Sequence, residues 1–147
     1  MTISLPPETS SPPRLQPSGW LRYFSFSVDH KVIGLQYLVC GFVFYLIGGA
    51  LAGAIRTELT SPVSDFMARD VYNQVLTLHG TVMIFLWIVP VVNGAFGNYL
   101  IPFYVGARDM AFPRLNAVAF WLIPPAGLML ITSYFLTGAA QSGWTAY

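Results

Sequence analysis

The sequence predicts an all-α membrane protein, a polytopic helix bundle with three transmembrane helices. Two features of the composition support this, since 55% of the 147 residues are hydrophobic and only 9% are charged. Soluble domains are about 25% charged, so this composition excludes a soluble enzyme, and a net charge of +1 gives no general attraction to nucleic acid. The third feature is the placement of the charges, which leaves long uncharged runs. Each run can cross a hydrocarbon core of about 30 Å as a helix.

The uncharged runs predict three spans, at about residues 32–55, 72–104 and 115–138. The second run is too long for one straight crossing, so part of it must tilt, kink or follow the interface. Pro90 and Pro102 are its expected kink points.

The first part of the chain differs in composition from the rest. Residues 1–19 are rich in proline, serine and threonine, and they predict a flexible tail because they cannot bury enough apolar surface to offset ordering entropy. Residues 20–147 form the predicted transmembrane domain. The tail and the second loop share one side of the membrane and hold five basic residues, Arg14, Arg22, Lys31, Arg108 and Arg114. The other side holds Arg56 and Arg69. This bias predicts a cytoplasmic N-terminus.

One imidazole lies inside the second predicted span, where an ionisable group is costly and is a candidate functional residue. His79 lies in LTLHGTVMIFLW, about 11 Å below the outer end of that span. Two interpretations are open: ligation of haem iron or a metal, or a hydrogen bond from a neutral imidazole to a neighbouring helix. His30 is predicted at the opposite boundary, so the two histidines cannot bind one iron across about 30 Å. If His79 is an axial ligand, its partner lies on a segment outside this chain.

Three further residues lie toward the outer side. Arg56 is either an interfacial anchor or a donor to the group that His79 binds. Glu58 is either a solvated carboxylate or an outer cation ligand. Trp144 fits an aromatic belt at the membrane surface.

A carboxylate and two amides mark the cytoplasmic side. Asp109 follows the second span, and Asn98 and Asn116 lie on the two helices that flank it. Near one membrane face these groups could order a file of water molecules for proton uptake. The alternatives are a loop carboxylate paired with Arg108 or Arg114, and amides that bond helix to helix.

Five segments carry a family resemblance. They are RTEL at 56–59, VYNQVLTLHGTVMIFLWIVP at 71–90, GNYLIPFYVGARDMAFPRLN at 97–116, FWLIPP at 120–125 and GWTAY at 143–147. Together they resemble subunit I of the haem–copper terminal oxidases, the cytochrome c oxidases in particular, and they look most like bacterial, cyanobacterial members. The resemblance implies a bundle of about twelve helices, of which these are the first three.

On the outer side, the resemblance implies that His79 is an axial ligand of the low-spin haem, usually haem a. Arg56 matches the arginine that donates a hydrogen bond to the formyl group of that haem. Trp144 matches the tryptophan that reaches the haem propionates, and Glu58 matches an outer cation ligand.

On the cytoplasmic side, the resemblance implies that Asp109 is the mouth of the D proton pathway, with Asn98 and Asn116 as its water-ordering amides. Many family members have two consecutive asparagines where this chain has Asn116 and Ala117. Proton pumping therefore does not follow from the resemblance alone.

The residues that would bind the high-spin haem and copper are not in this stretch, and no residue here is expected to reduce dioxygen. The chain therefore resembles a fragment of an enzyme that is competent only as the full complex. Its expected partners are the rest of subunit I, subunits II and III, and cytochrome c or a similar donor. Its expected location is a bacterial plasma membrane or a thylakoid membrane. The alternatives are a quinol oxidase subunit I, or a non-catalytic three-helix membrane module if 147 residues is the native length.

Overall fold

The computed structural model describes residues 19–60, 62 and 66–146, and within these ranges the chain is helical without any strand. A short 3-10 helix, Gly19–Phe24, precedes three long helices. We label these α1 (His30–Glu58), α2 (Arg69–Val105) and α3 (Pro113–Leu136). Residues 1–18 of the predicted tail lie outside the described residues.

The long helices contain 29, 37 and 24 residues. At about 1.5 Å per residue α1 and α3 are about 44 and 36 Å long, and the α-helical parts of α2, with 13 and 9 residues, alone account for about 33 Å. Each helix therefore exceeds the hydrocarbon thickness of about 30 Å. All three are apolar enough to cross a membrane, so the predicted all-α membrane bundle is confirmed. The helices extend beyond the predicted spans except at the end of α3. That helix stops at Leu136 because Gly138 takes a left-handed conformation, with φ of +83°.

The bundle has two ends because the three helices alternate in direction. The His30 end holds the first turn of α1 and the α2–α3 loop, residues 106–112. The Glu58 end holds the α1–α2 connection and residues 137–146, which follow α3.

Helix α2 is not α-helical throughout. Its first and last segments, Arg69–Thr81 and Gly97–Val105, are α-helical. Between them lie two π-helical stretches, Val82–Ile88 and Pro90–Phe96. Pro90 has no N–H to donate, and its ring crowds the carbonyl four residues earlier, so it disfavours regular α-helical bonding at that point. The helix therefore continues past Pro90 with wider turns.

Helix α1 packs against both of the other helices and forms two hydrophobic clusters with them. The cluster nearer the His30 end consists of Ile33, Tyr37, Val91, Ala95, Ala117 and Phe120. The cluster nearer the Glu58 end consists of Phe44, Leu78, Val82 and Leu86. Dispersion forces between well-packed side chains hold such helices together, because lipid is as apolar as the cores themselves.

Glycines allow close approach at these interfaces. A Cβ atom placed on Gly127 of α3 would overlap the ring of Phe44, and one placed on Gly94 of α2 would overlap the ring of Tyr37. Both aromatic rings are buried, so neither can move aside freely. The two glycines therefore set how closely α2 and α3 approach α1.

The substitution Gly127→Ala is expected to destabilise the assembled protein by about 1–3 kcal/mol, because the added methyl group overpacks a buried contact. Gly49→Ala is the matched control, since a Cβ atom there meets nothing within 4 Å. The midpoint of thermal unfolding in detergent measures the difference. Equal midpoints for the two variants would contradict the packing described for Gly127.

Candidate functional site

His79 lies in the α-helical first part of α2 and is half-buried. Its Nδ1 atom is 2.9 Å from the backbone oxygen of Gly48 on α1. A carbonyl oxygen only accepts, so the imidazole donates from Nδ1, and in the neutral ring the lone pair is then on Nε2. A histidine that ligates a metal is commonly oriented in this way by a backbone carbonyl. The geometry therefore suits ligation through Nε2.

The segment after α3 folds over α2 beside His79. The backbone N–H of Gly143 donates to the Thr77 hydroxyl at 3.0 Å, and that of Ala139 donates to Gln74 Oε1 at 3.1 Å. Trp144 then packs over Gly80, where a Cβ atom would lie 3.0 Å from the tryptophan Cβ. The structure thus brings Trp144 to the residue that follows His79.

The roles of Gln74 and Thr77 as acceptors for this segment do not follow from the sequence analysis. The available signal was their polarity within a predicted transmembrane span, since buried polar side chains require partners. Thr77 is buried and also donates to the backbone oxygen of Asn73 at 2.8 Å, so its hydroxyl is satisfied in both directions.

Arg56 and Glu58 lie in the last turn of α1, at the Glu58 end of the bundle. Arg56 is exposed, and no described residue accepts a hydrogen bond from its guanidinium. It lies eight residues beyond Gly48, about 12 Å along α1, so the structure does not bring it into contact with His79. Glu58 Oε2 accepts from the backbone N–H of Met67 at 3.0 Å, which ties α1 to the chain just before α2.

The two amides at the His30 end are bonded to each other. Asn116 on α3 donates from Nδ2 to Asn98 Oδ1 on α2, and Asn98 donates from its own Nδ2 to the backbone oxygen of Gly94 at 2.6 Å. Asn98 is buried, with 3% of its surface exposed. These amides therefore bond α3 to α2, which is one of the two interpretations that the sequence left open for them.

Asp109 is bonded to His30 rather than to Arg108 or Arg114. Its Oδ1 atom lies 3.1 Å from His30 Nδ1 and also accepts from the backbone N–H of Met110 at 2.7 Å. The His30 ring is buried, whereas the Asp109 side chain is 43% exposed. This carboxylate therefore faces water on one side and a buried imidazole on the other.

The amides do not contact Asp109 directly, but they lie close to it along α1. A Cβ atom on Gly34 would lie 3.4 Å from Asn98 Cβ, and Gly34 is one turn beyond His30, about 6 Å along the axis. The sequence does not predict this contact of His30, because it does not indicate that the α2–α3 loop returns to the first turn of α1.

The two histidines are far apart in the fold. His79 contacts α1 at Gly48, and His30 begins that helix, so about 27 Å of helix separates the two contacts. One iron cannot bind both. His30 is therefore not the second axial ligand of an iron at His79.

Fold and site together define a polytopic membrane protein with an oriented imidazole in one half of its bundle and a water-facing carboxylate at the opposite end. A sequence model of the family described as "Cytochrome C and Quinol oxidase polypeptide I" matches residues 32–147. The chain belongs to this family, as its motifs predicted.

Relatives of known name support the same assignment. The chain is 60% identical over 147 residues to "Cytochrome c oxidase subunit 1" of Synechocystis sp., a match that covers 100% of this chain and 26% of that protein. It is 65% identical over 128 residues to the protein of that name from Thermostichus vulcanus, and this match covers 87% of this chain and 23% of that protein. It is 50% identical over 121 residues to the protein of the same name from Bacillus sp., and this match covers 82% of this chain and 20% of that protein. The chain thus spans between about a fifth and a quarter of the length of these relatives.

Proposed function

We propose that this chain acts within subunit I of a respiratory terminal oxidase. That enzyme would take electrons from cytochrome c, reduce dioxygen to water and couple the reaction to proton translocation. The family match and the names of the relatives support this function. This chain would contribute one axial ligand of a low-spin haem and the mouth of a proton pathway, and it would not be competent without the rest of the complex.

The observation that carries the proposal is the contact between His79 Nδ1 and the Gly48 backbone oxygen. Because this hydrogen bond directs the Nε2 lone pair away from α1, His79 would bind iron without first losing a proton or changing tautomer. Among low-spin haems the family resemblance favours haem a. When bound, the haem supplies a carrier that takes up and releases one electron at a time.

Arg56 and Trp144 would bind the edges of the low-spin haem. Arg56 is exposed at the Glu58 end, and its guanidinium would donate a hydrogen bond to the formyl oxygen of the haem. Trp144 lies over Gly80, with its position fixed by the Gly143–Thr77 hydrogen bond, so its indole N–H could reach a propionate. Both residues are on the side of the bundle that holds His79.

Asp109 would take up protons from the water that it faces, and the amides of Asn98 and Asn116 would order water above it. Asn116 keeps hydrogen-bonding capacity after this mutual bond, because its Oδ1 atom has no described donor. His30 would hold the carboxylate at the protein surface, close to α1. Proton uptake would then occur at the His30 end, and the bias of the basic residues predicts that this end faces the cytoplasm.

The remaining cofactors would be bound by residues outside this chain. These are the high-spin haem and copper, together with the second ligand of the low-spin haem. The expected partners are the rest of subunit I, subunits II and III, and cytochrome c, in a bacterial plasma membrane or a thylakoid membrane. A cation at Glu58 would need further ligands, since no cluster of three His, Cys, Asp or Glu side chains occurs among the described residues.

The proposed function is tested by oxygen uptake. A complex purified through a tag on this chain is expected to consume oxygen with reduced cytochrome c as donor. Uptake with a quinol alone would instead identify a quinol oxidase. A tagged chain that purifies without further oxidase subunits and consumes no oxygen with either donor would overturn the proposal.

A further inference from the structure

The chain turns back along α2 after α3 ends. Residues 137–146, which we call the return segment, contain no helix. This segment contacts α2 first at Gln74, then at Thr77 and last at Gly80. From Gln74 to Gly80 it advances about 9 Å along the axis of α2, toward the middle of the bundle. The return segment therefore runs inward beside the part of α2 that carries His79.

Two side chains of α2 bond the backbone of the return segment. Non-helical backbone at membrane depth is stable only where other groups of the protein satisfy its hydrogen bonds. Gln74 Oε1 accepts from the N–H of Ala139 at 3.1 Å, and Thr77 Oγ1 accepts from the N–H of Gly143 at 3.0 Å. The two acceptors are three residues apart, so they lie on one face of the helix. This contact accounts for an amide and a hydroxyl within an apolar span.

The position of Trp144 is fixed from two sides. On one side, its neighbour Gly143 is bonded to the buried Thr77 hydroxyl, which itself donates to the Asn73 backbone oxygen at 2.8 Å. That second bond orients the hydroxyl, so its free lone pair faces the Gly143 N–H. On the other side, a Cβ atom on Gly80 would lie only 3.0 Å from Trp144 Cβ. The base of the indole side chain therefore rests directly on the backbone of α2.

We propose that Gln74 and Thr77 are positioning residues that raise the reduction potential of the low-spin haem by holding Trp144 in place. This inference rests on the proposed function, in which the indole N–H of Trp144 donates to a haem propionate. The negative charge of a propionate favours the oxidised form of the haem iron, and a hydrogen bond to that charge weakens its effect. The two acceptors on α2 keep the donor at the propionate.

The test compares Thr77→Val with the unmodified protein in the assembled complex. Valine keeps the shape of threonine but offers no acceptor to the Gly143 N–H. Amide hydrogen exchange in peptides covering residues 137–146 is expected to become about fivefold faster, which is the factor that one hydrogen bond of ordinary strength contributes. The midpoint potential of the low-spin haem, from a spectroelectrochemical titration, is expected to fall. Thr77→Ser, which keeps the hydroxyl, should restore both values.

Thr81→Val is the matched control. The Thr81 hydroxyl donates to the Thr77 backbone oxygen at 2.8 Å, the same kind of bond within α2, but the return segment does not donate to it. Its exchange rate and potential should not change. Trp144→Phe is expected to lower the potential by itself, because phenylalanine has no N–H to donate. Adding Thr77→Val to Trp144→Phe should then lower it no further, since the effect of Thr77 passes through the indole.

Gln74→Leu carries the same expectation as Thr77→Val and replaces it if that variant does not assemble. The proposal is wrong if exchange becomes faster while the potential stays the same, because the two bonds would then hold the chain without affecting the haem. Additive shifts in the double variant would overturn it as well. The unmodified complex tests the proposed function separately: a missing low-spin haem band there overturns both, whereas a normal band with an unchanged potential in the variants overturns this proposal alone.

Discussion

The assembled complex with His79→Ala is expected to lose the low-spin haem band from its reduced-minus-oxidised spectrum. Alanine has no lone pair to offer to iron, and the contact with the Gly48 oxygen disappears with the ring. His30 cannot substitute, because it is about 27 Å away along α1. Electron transfer from cytochrome c should then stop, since the group that receives the electrons is absent.

His30→Ala is the control for this experiment. It also removes an imidazole, but from the opposite end of the bundle, where the ring is buried and contacts Asp109. Its spectrum should keep the low-spin haem band. A band that survives in His79→Ala would show that His79 bonds α2 to α1 and does nothing more, which is the other interpretation of a histidine inside a span.

Asp109→Asn is expected to slow oxygen consumption on the order of a hundredfold and to abolish proton translocation, while the haem spectrum stays unchanged. The amide oxygen can still accept from the Met110 N–H, so the loop should keep its shape. What the amide cannot do is take up a proton and release it inward. The expected loss is therefore in turnover and pumping, measured with the complex in vesicles.

Asp70→Asn provides the comparison for this carboxylate. Asp70 is also an exposed aspartate at the end of a membrane helix, but it lies in the first turn of α2 at the Glu58 end. Its replacement should leave both turnover and pumping near their original rates. If Asp109→Asn removed the haem band, or if it left turnover unaltered, then Asp109 would not be the site of proton uptake.

The fold could be predicted because its causes are local. Charged residues interrupt the apolar sequence only where the chain leaves the membrane, so the three helices follow from the positions of residues such as Lys31, Arg56 and Arg108. The π-helical stretches around Pro90 are different. Their hydrogen bonds depend on packing against α1, and a proline in a sequence indicates only that α-helical bonding is interrupted.

The candidate site could be predicted only in part, for the same reason. His79 stands out because an ionisable group inside a span is rare, and the spacing along the chain already separates it from His30. The pairing of His30 with Asp109 joins residues 79 positions apart, and the Gly143–Thr77 bond joins residues 66 apart. Such contacts depend on how the helices are arranged around one another, which the helical pattern of one segment does not encode.

The wide turns of α2 have a consequence for how the two ends of the bundle are spaced. His79 meets α1 at Gly48, and Asn98 meets it at Gly34, so 19 residues of α2 run beside 14 residues of α1. Fully α-helical segments of those lengths would measure about 28 and 21 Å. The π turns account for part of this difference, because they use more residues for each turn. The imidazole of His79 and the amide of Asn98 therefore lie closer together than 19 residues of α-helix would place them, and their spacing follows the 14 residues of α1 between Gly48 and Gly34.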